Sequence, residues 1–184
     1  ERQRGGTTRD VYKIDNAVVK VAKNPRGLQQ NDAVGWGDYD ILYPHLPKLH
    51  EIGDDYIVTE FVPRNDKEIR KFLKPLQEFS PRDFELKEHK LLQALDRLGL
   101  TDFTNYDLLW NDFKAARNWG IKKGRPVLID EGALTKNITA VSDIPQIYRQ
   151  EWKDILHRRR QIKGGLREPS FELKKEPAFK KWFK

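Results

Sequence analysis

The sequence predicts an α+β protein on three observations: a β-rich first third holding two hairpins, a stretch of helical periodicity in the middle, and a further hairpin followed by a basic helical tail. Its 184 residues include no Cys and no Met. Without Cys, disulfides, thiolate metal sites and cysteine nucleophiles are excluded. The longest aliphatic run, Val127 to Ile129, is far short of the roughly 20 apolar residues of a membrane span, and Glu1 to Asp10 does not read as a signal peptide. The expectation is one domain, or one domain with an extension, in the cytoplasm and away from membranes.

The charge is uneven. Of the net +7, residues 150–184 carry +6, from 11 Lys or Arg against 5 Asp or Glu. Residues 1–149 hold 24 against 23 and are close to neutral. The basic character belongs to a tail.

Taken in order, Gly5-Gly6-Thr7-Thr8 is a flexible lead-in to a strand over Asp10 to Ile14. Asp15-Asn16 then turns the chain into a second strand over Ala17 to Ala22. Asn24-Pro25-Arg26-Gly27 reads as a loop. Leu28 to Tyr43 reads as helix in spite of Gly35 and Gly37, each costing about 1 kcal/mol against Ala. Leu49 to Ile52 and Asp55 to Val62 form a second hairpin around Gly53-Asp54, stopped by Pro63.

Phe84, Leu86, Leu91, Leu92, Leu95 and Leu98 recur at spacings near three and four behind Ser80-Pro81, a cap with Pro in the first turn, and predict a helix from about 81 to 98. Trp119 to Ile121 and Pro126 to Asp130 flank a turn at Lys122 to Arg125. Ile144-Pro145 opens a helix through about Arg160, and beyond Gly164-Gly165 the chain is charged and interrupted by Pro.

Phosphate transfer from a nucleotide needs a backbone cradle over the phosphates, a cation on them, groups that hold magnesium, and a carboxylate that orients the acceptor. Candidates follow one another along the chain. They are Gly5-Gly6-Thr7-Thr8, then Lys20 within a strand, then Glu60-Phe61-Val62 at a strand end, then Asp112-Phe113-Lys114, Asn118 and Asp130-Glu131-Gly132.

In this order the residues resemble the protein-kinase superfamily: a Gly-rich loop, a strand Lys, a catalytic-loop Asp and Asn, and an Asp-x-Gly, matched over residues 5 to 132. Asn111 to Lys114, Arg117 to Ile121 and Gly124 to Gly132 are most similar in flavour to the small kinase-like proteins of tailed bacteriophages. The resemblance implies a two-lobe fold: an N-terminal lobe over 1–62, a reduced C-terminal lobe over 63–141 and a basic helical tail over 142–184. It implies ATP and Mg as cofactors and a γ-phosphate passed to a hydroxyl. Lys20 would pair the α- and β-phosphates beneath Gly5, Gly6 and Thr7. Asp112 would be the base, with Lys114 neutralising the transferring phosphate. Asn118 and Asp130 would hold magnesium. Glu60 and Val62 would offer backbone groups to adenine, with Thr59 guarding the pocket.

The sequence also departs from that pattern. Asp112 to Asn118 is a step of six where H-R-D-x-x-x-x-N has five, so one residue is looped out, and Trp110 and Asn111 replace the His and Arg. An alternative register makes Asp102 the base and Asp107 the metal ligand. It keeps the step of five but leaves 23 residues before Asp130, against 12 from Asn118. No Glu lies between Asn24 and Leu49 to pair with Lys20; Asp32, Asp38 and Asp40 are the carboxylates there. Glu131 replaces the Phe of Asp-Phe-Gly, and no Ala-Pro-Glu segment or peptide-binding lobe follows Gly132.

Singly, each signal has a plain reading. The Gly pair is a flexible arm, Lys20 a solvent-facing strand residue, Asp112 a cap, Asn118 a turn former, and Asp130 to Gly132 a turn. Their joint order carries the kinase-like reading. His45, His50, His89 and His157 lack metal-ligand spacing, and Trp36, Trp110 and Trp119 read as core or lobe-interface aromatics. His157 to Arg160 and the Lys pairs at 174–175 and 180–181 suit a solvated face or a docking arm for a protein or nucleoprotein assembly, ahead of nucleic acid. A non-catalytic scaffold, a pseudokinase docked through that tail, stands as the rival to an enzyme.

Overall fold

The computed structural model describes residues 2–3, 6–35, 37–80, 84–105, 108–134 and 146–165. Gly5, Trp36, Pro81, Asp107, the Ile144-Pro145 opening and the tail past Gly165 lie outside them. The chain is mixed α and β and forms two compact units. Unit 1 comprises Glu1–Asp32, His50–Phe61 and Ala140–Lys184; unit 2 comprises Ala33–Leu49 and Val62–Thr139. No helix among the described residues is long and apolar enough to cross a membrane.

Unit 1 is built on a five-stranded sheet of order β1-β2-β3-β5-β4: β1 (Arg2–Gln3), β2 (Arg9–Ile14), β3 (Ala17–Ala22), β4 (Leu49–Ile52) and β5 (Tyr56–Glu60). The expected hairpin is β2 and β3, antiparallel from Arg9↔Ala22 to Ile14↔Ala17. Its turn needs a left-handed residue, supplied by Asp15 at φ 49°, a conformation Asp tolerates. Strand β1 was not legible, because Arg2 and Gln3 are polar; they are held by pairing with Tyr12 and Val11. The Gly-rich segment thus lies within a β1–β2 connection and does not merely precede the first strand.

Alternation along β3 sorts its side chains onto two faces. Ala17 and Val19 join Val58, Tyr12, Ile14 and Tyr56 in one apolar cluster. Ala22 joins Leu28, Ile155, Tyr148 and Trp152 in another. That second cluster seats two helices, α1 (Pro25–Gly35) and α5 (Gln146–Gly165), on the sheet.

Helix α1 starts earlier than the sequence suggests. Asn24-Pro25-Arg26-Gly27 carries loop-forming residues, yet the Asn24 side-chain oxygen accepts from Gly27 N at 3.1 Å, and Pro25 occupies the first helical position, where its missing N–H costs nothing. The remainder of the expected helix is a 3-10 segment over Gly37–His45.

The sequence places α5 in a basic helical tail; within unit 1 the helix packs through Tyr148, Trp152 and Ile155, with Arg158 bonded to Asp54 at 2.8 Å and Arg159 to Asp55.

Unit 2 has a larger core in which α2 (Asp66–Gln77) buries Ile69, Leu73 and Leu76 completely and α3 (Phe84–Arg97) buries Leu91, Ala94 and Leu95. In the sequence, Pro75 and a run of charges mask the four-then-three apolar spacing of α2. Its start is nonetheless signalled by Asn65, whose side chain accepts from Glu68 N, and by Asp66 and Glu68 in the first turn.

A short helix α4 (Trp110–Phe113), a 3-10 turn (Ala116–Asn118) and the hairpin of β6 (Trp119–Lys122) with β7 (Arg125–Leu128) follow. Phe113 centres an aromatic cluster, 5.4 Å from Phe103, 5.1 Å from Trp119 and 5.8 Å from Trp110 between ring centroids. The Lys123-Gly124 turn takes positive φ at both residues, as a tight hairpin requires.

Candidate functional site

In unit 1 the described part of the Gly-rich connection is bonded down along its length. Gly6 O accepts from Lys23 Nζ at 3.3 Å, Thr7 O from Asn24 Nδ2 at 3.2 Å and Thr8 O from Lys23 N at 2.9 Å. The Thr8 hydroxyl donates to Gln30 Oε1 at 2.8 Å. Gly27 allows this approach, since a Cβ there would lie 2.3 Å from Thr8 O. The loop is therefore fastened to the Lys23-Asn24 link between β3 and α1 and to Gln30 of α1. Spacing alone gives no hint of Lys23, Asn24 and Gln30 as its supports, because the side-chain contacts span 17 to 22 residues.

Lys20 lies on β3, opposite Val11 and Ile57, and is buried at 5% exposure. Alternation puts it on the face that carries Ala22 and meets α1. Of the carboxylates that stand in place of the missing Glu, Asp32 accepts from the Tyr148 hydroxyl of α5 at 2.7 Å. Burial and this carboxylate push the Tyr148 pKa up, so the hydroxyl remains a donor through neutral and alkaline pH. Asn31, one residue earlier, is buried, donates to Asp55 O at 3.1 Å and leaves its Oδ1 unpartnered. Thr59 is buried on β5, and Glu60 ends that strand opposite Ala17.

Unit 2 brings three of the expected residues together. Asn118 is buried, and its main-chain oxygen accepts from both Ile129 N at 2.7 Å and Asp130 N at 3.2 Å. Its side-chain nitrogen donates to Asp112 O at 2.8 Å. One residue thus ties the Asp112 turn to the Asp130 turn. The long step from Asp112 to Asn118 is taken up by Ala115 N bonding back to Asp112 O at 3.1 Å, followed by the 3-10 turn.

The Asp112 carboxylate is half-exposed and pairs with Arg117 at 3.0 Å. Asp130 caps a 3-10 turn over Glu131–Ala133, its Oδ1 accepting from Gly132 N at 3.1 Å. Lys114, expected on a phosphate, donates to Phe79 O at 2.6 Å. Val62 is buried, with Gly120 closely packed on it: a Cβ at Gly120 would sit 2.7 Å from Val62 Cγ1. In the alternative register, Asp102 is engaged by His45 at 3.2 Å. The His45 pKa is lowered, burial outweighing the Asp102 carboxylate.

Asn118 and Asp130 offer hard oxygen donors, one carboxamide and one carboxylate. That is the chemistry of a magnesium site completed by water and substrate phosphates. Anchoring Asn118 through its nitrogen leaves its Oδ1 as the group for a cation. The donor set fits.

No protein-family model matches the chain, and no curated protein matches it. Two solved structures are similar. The streptomycin–ATP–APH(2″)-IIa ternary complex aligns at TM-score 0.39 and 15% identity over 73% of this chain and 66% of that one, so the chain spans about two thirds of that protein. The macrolide 2′-phosphotransferase MphH of Brachybacterium faecium, as apoenzyme, aligns at TM-score 0.38 and 14% identity over 100% of this chain and 90% of that one. At such TM-scores the likeness decides neither fold nor activity.

Proposed function

We propose that the protein is a kinase-like phosphotransferase that passes the γ-phosphate of ATP to a hydroxyl acceptor. The observation that supports this most is Asn118, which binds Asp112 and Asp130 into one cluster through its amide nitrogen and its main-chain oxygen. Unit 1 adds Lys20 on the third strand, where the kinase pattern keeps its phosphate lysine, behind a Gly-containing β1–β2 connection.

The roles follow from the chemistry of each group. Backbone N–H groups around Gly5, Gly6 and Thr7 cradle phosphate oxygens, and the Lys20 ammonium neutralises the α- and β-phosphates. Glu60 and Val62 present main-chain groups to adenine, and Thr59 sets how deep a base can enter. The Asp112 carboxylate, paired with Arg117 at 3.0 Å, accepts the acceptor's proton. Asn118 and Asp130 would hold magnesium, which when bound neutralises charge on the phosphates. Lys114 braces the Asp112 turn against Phe79 O and joins in charge neutralisation only if that bond is released. The resemblance to phage proteins adds a host cytoplasm or virus particle as the setting.

The rival scaffold reading is favoured by one observation: the α1 carboxylate at Asp32 is engaged by Tyr148. Turnover separates the two. With ATP and a panel of small hydroxyl acceptors, wild type is expected to release ADP, and Asp112→Asn to lose at least about a hundredfold in rate while still binding nucleotide, as for removal of a general base. Equal rates for the two proteins would overturn the catalytic reading.

A further inference from the structure

Helix α5 is the part of the molecule that the phosphotransfer reading leaves without a task. Its residues 148, 152, 155 and 159 fall on one face at spacings of four, three and four. Tyr148, Trp152 and Ile155 of that face pack with Ala22 and Leu28, and Arg159 reaches Asp55. The contacts do not all serve the same end. Arg158 and Arg159 grip the β4–β5 turn through Asp54 and Asp55, whereas Tyr148 grips α1 itself through Asp32.

Helix α1 is in turn the support of the Gly-rich connection. Asn24, at its cap, donates to Thr7 O; Gln30 accepts from the Thr8 hydroxyl; Gly27 lets Thr8 O approach its backbone. From the Tyr148 hydroxyl to Thr8 the route is one hydrogen bond, about half a turn of helix and a second hydrogen bond. Asp32 and Gln30 are two residues apart on that helix, so a shift or rotation of α1 that breaks one contact also displaces the other.

We propose that Tyr148 is a positioning residue for the phosphate-binding loop, acting through Asp32 and helix α1. The role rests on the phosphotransfer reading for its purpose, but the coupling exists in the free protein. Holding α1 holds Gln30 on the Thr8 hydroxyl and steadies the Lys23-Asn24 link that leads into the helix and bonds the carbonyls of residues 6 to 8, and with them the peptide planes whose N–H groups face the other way. A loop set in advance binds phosphate without a further ordering cost. Released from Tyr148, α1 gains freedom and the loop must be ordered by the nucleotide.

Hydrogen exchange in the nucleotide-free protein reads this directly. The Lys23 amide is protected only while it is bonded to Thr8 O, and the Gly27 amide while the α1 cap is formed. The Phe61 amide, bonded to Asn16 O at the other end of the sheet, is the control. Tyr148→Phe keeps the ring against the cluster of Ala22, Leu28 and Ile155 and removes the hydroxyl. It is expected to speed exchange at Lys23 and Gly27 about fivefold, the factor of one ordinary hydrogen bond, and to leave Phe61 unchanged. Asp32→Asn keeps an acceptor for Tyr148 and is expected to retain protection.

The Kd for Mg-ATP is expected to rise by a similar factor in Tyr148→Phe, with kcat at saturating ATP little altered. Unchanged exchange at Lys23 and Gly27, or equal acceleration at Phe61, would overturn the coupling. Faster exchange with an unaltered Kd would overturn the positioning role. Wild type that binds no Mg-ATP would sink the phosphotransfer reading and with it the positioning role, while the exchange data would still decide the coupling.

Discussion

Gly27→Ala sets two effects of opposite sign against each other. In a helix interior the change should stabilise by about 1 kcal/mol, because Ala loses less backbone entropy than Gly on folding. At this position the new Cβ would lie 2.3 Å from Thr8 O and 3.1 Å from both Cα and Cβ of Ala22. The first of these is more than a tenth of a nanometre inside ordinary contact, and its partner is a backbone oxygen that also accepts from Lys23 N. Neither atom can rotate away, so α1 must move off the sheet.

Overpacking of this kind costs about 1–3 kcal/mol. Opening the Thr8–Lys23 bond adds about 1 kcal/mol, so the net expectation is a loss of roughly 1–3 kcal/mol after the propensity gain. Urea denaturation followed by tryptophan fluorescence would read it as a lower midpoint at unchanged slope. A variant more stable than wild type would refute the close approach of α1 to the loop. The same displacement should weaken Mg-ATP binding, since the loop follows the helix.

Other outcomes follow from the same contacts. Asn118→Ala strips a buried donor from Asp112 O and is expected to cost about 1–3 kcal/mol, with loss of magnesium-dependent nucleotide binding; denaturation and calorimetry would check both. His45 has its pKa lowered by burial, so the unfolded chain takes up the proton first. The stability it contributes is complete above the ordinary value of 6.5 and is lost as pH falls below it, so the urea midpoint of wild type should drop relative to His45→Gln between neutral pH and pH of about 5. A relative rise on acidification would mean that the charged pair with Asp102 dominates. Arg158→Ala removes an exposed ion pair with Asp54 and is expected to change stability by less than about 1 kcal/mol, with that small effect vanishing in high salt.

The strands were legible where side chains alternate. Val11, Tyr12 and Ile14, then Val18, Val19 and Val21, specify a hairpin whatever surrounds it. Strand β1 was not, because Arg2 and Gln3 owe their conformation to partners across the sheet. Helix α2 was hidden by Pro75, which sits late enough in the helix to disturb only its last turn, and the start of α1 by Pro25 and Gly27, which serve there as first-turn residue and close-contact residue.

For the candidate site, the order of Lys20, Asp112, Asn118 and Asp130 could be read from the sequence, because each residue type is demanded by phosphate chemistry. Their supports could not. Phe79 beneath Lys114 and Tyr148 on Asp32 are 35 and 116 residues from their partners, and nothing local in the sequence announces them. The basic tail had the same limit. Composition identified its charge, and the fold shows that part of it meets Asp54 and Asp55 of the same chain.

Titration calorimetry of ATP into the protein with and without magnesium, repeated on Asp130→Ala, tests the central claim most directly. The expected result is binding that needs magnesium and is lost, or weakened at least about tenfold, in the variant, as removal of a metal-holding carboxylate requires. ATP binding that is indifferent to both magnesium and Asp130, or no binding by wild type at all, would contradict it.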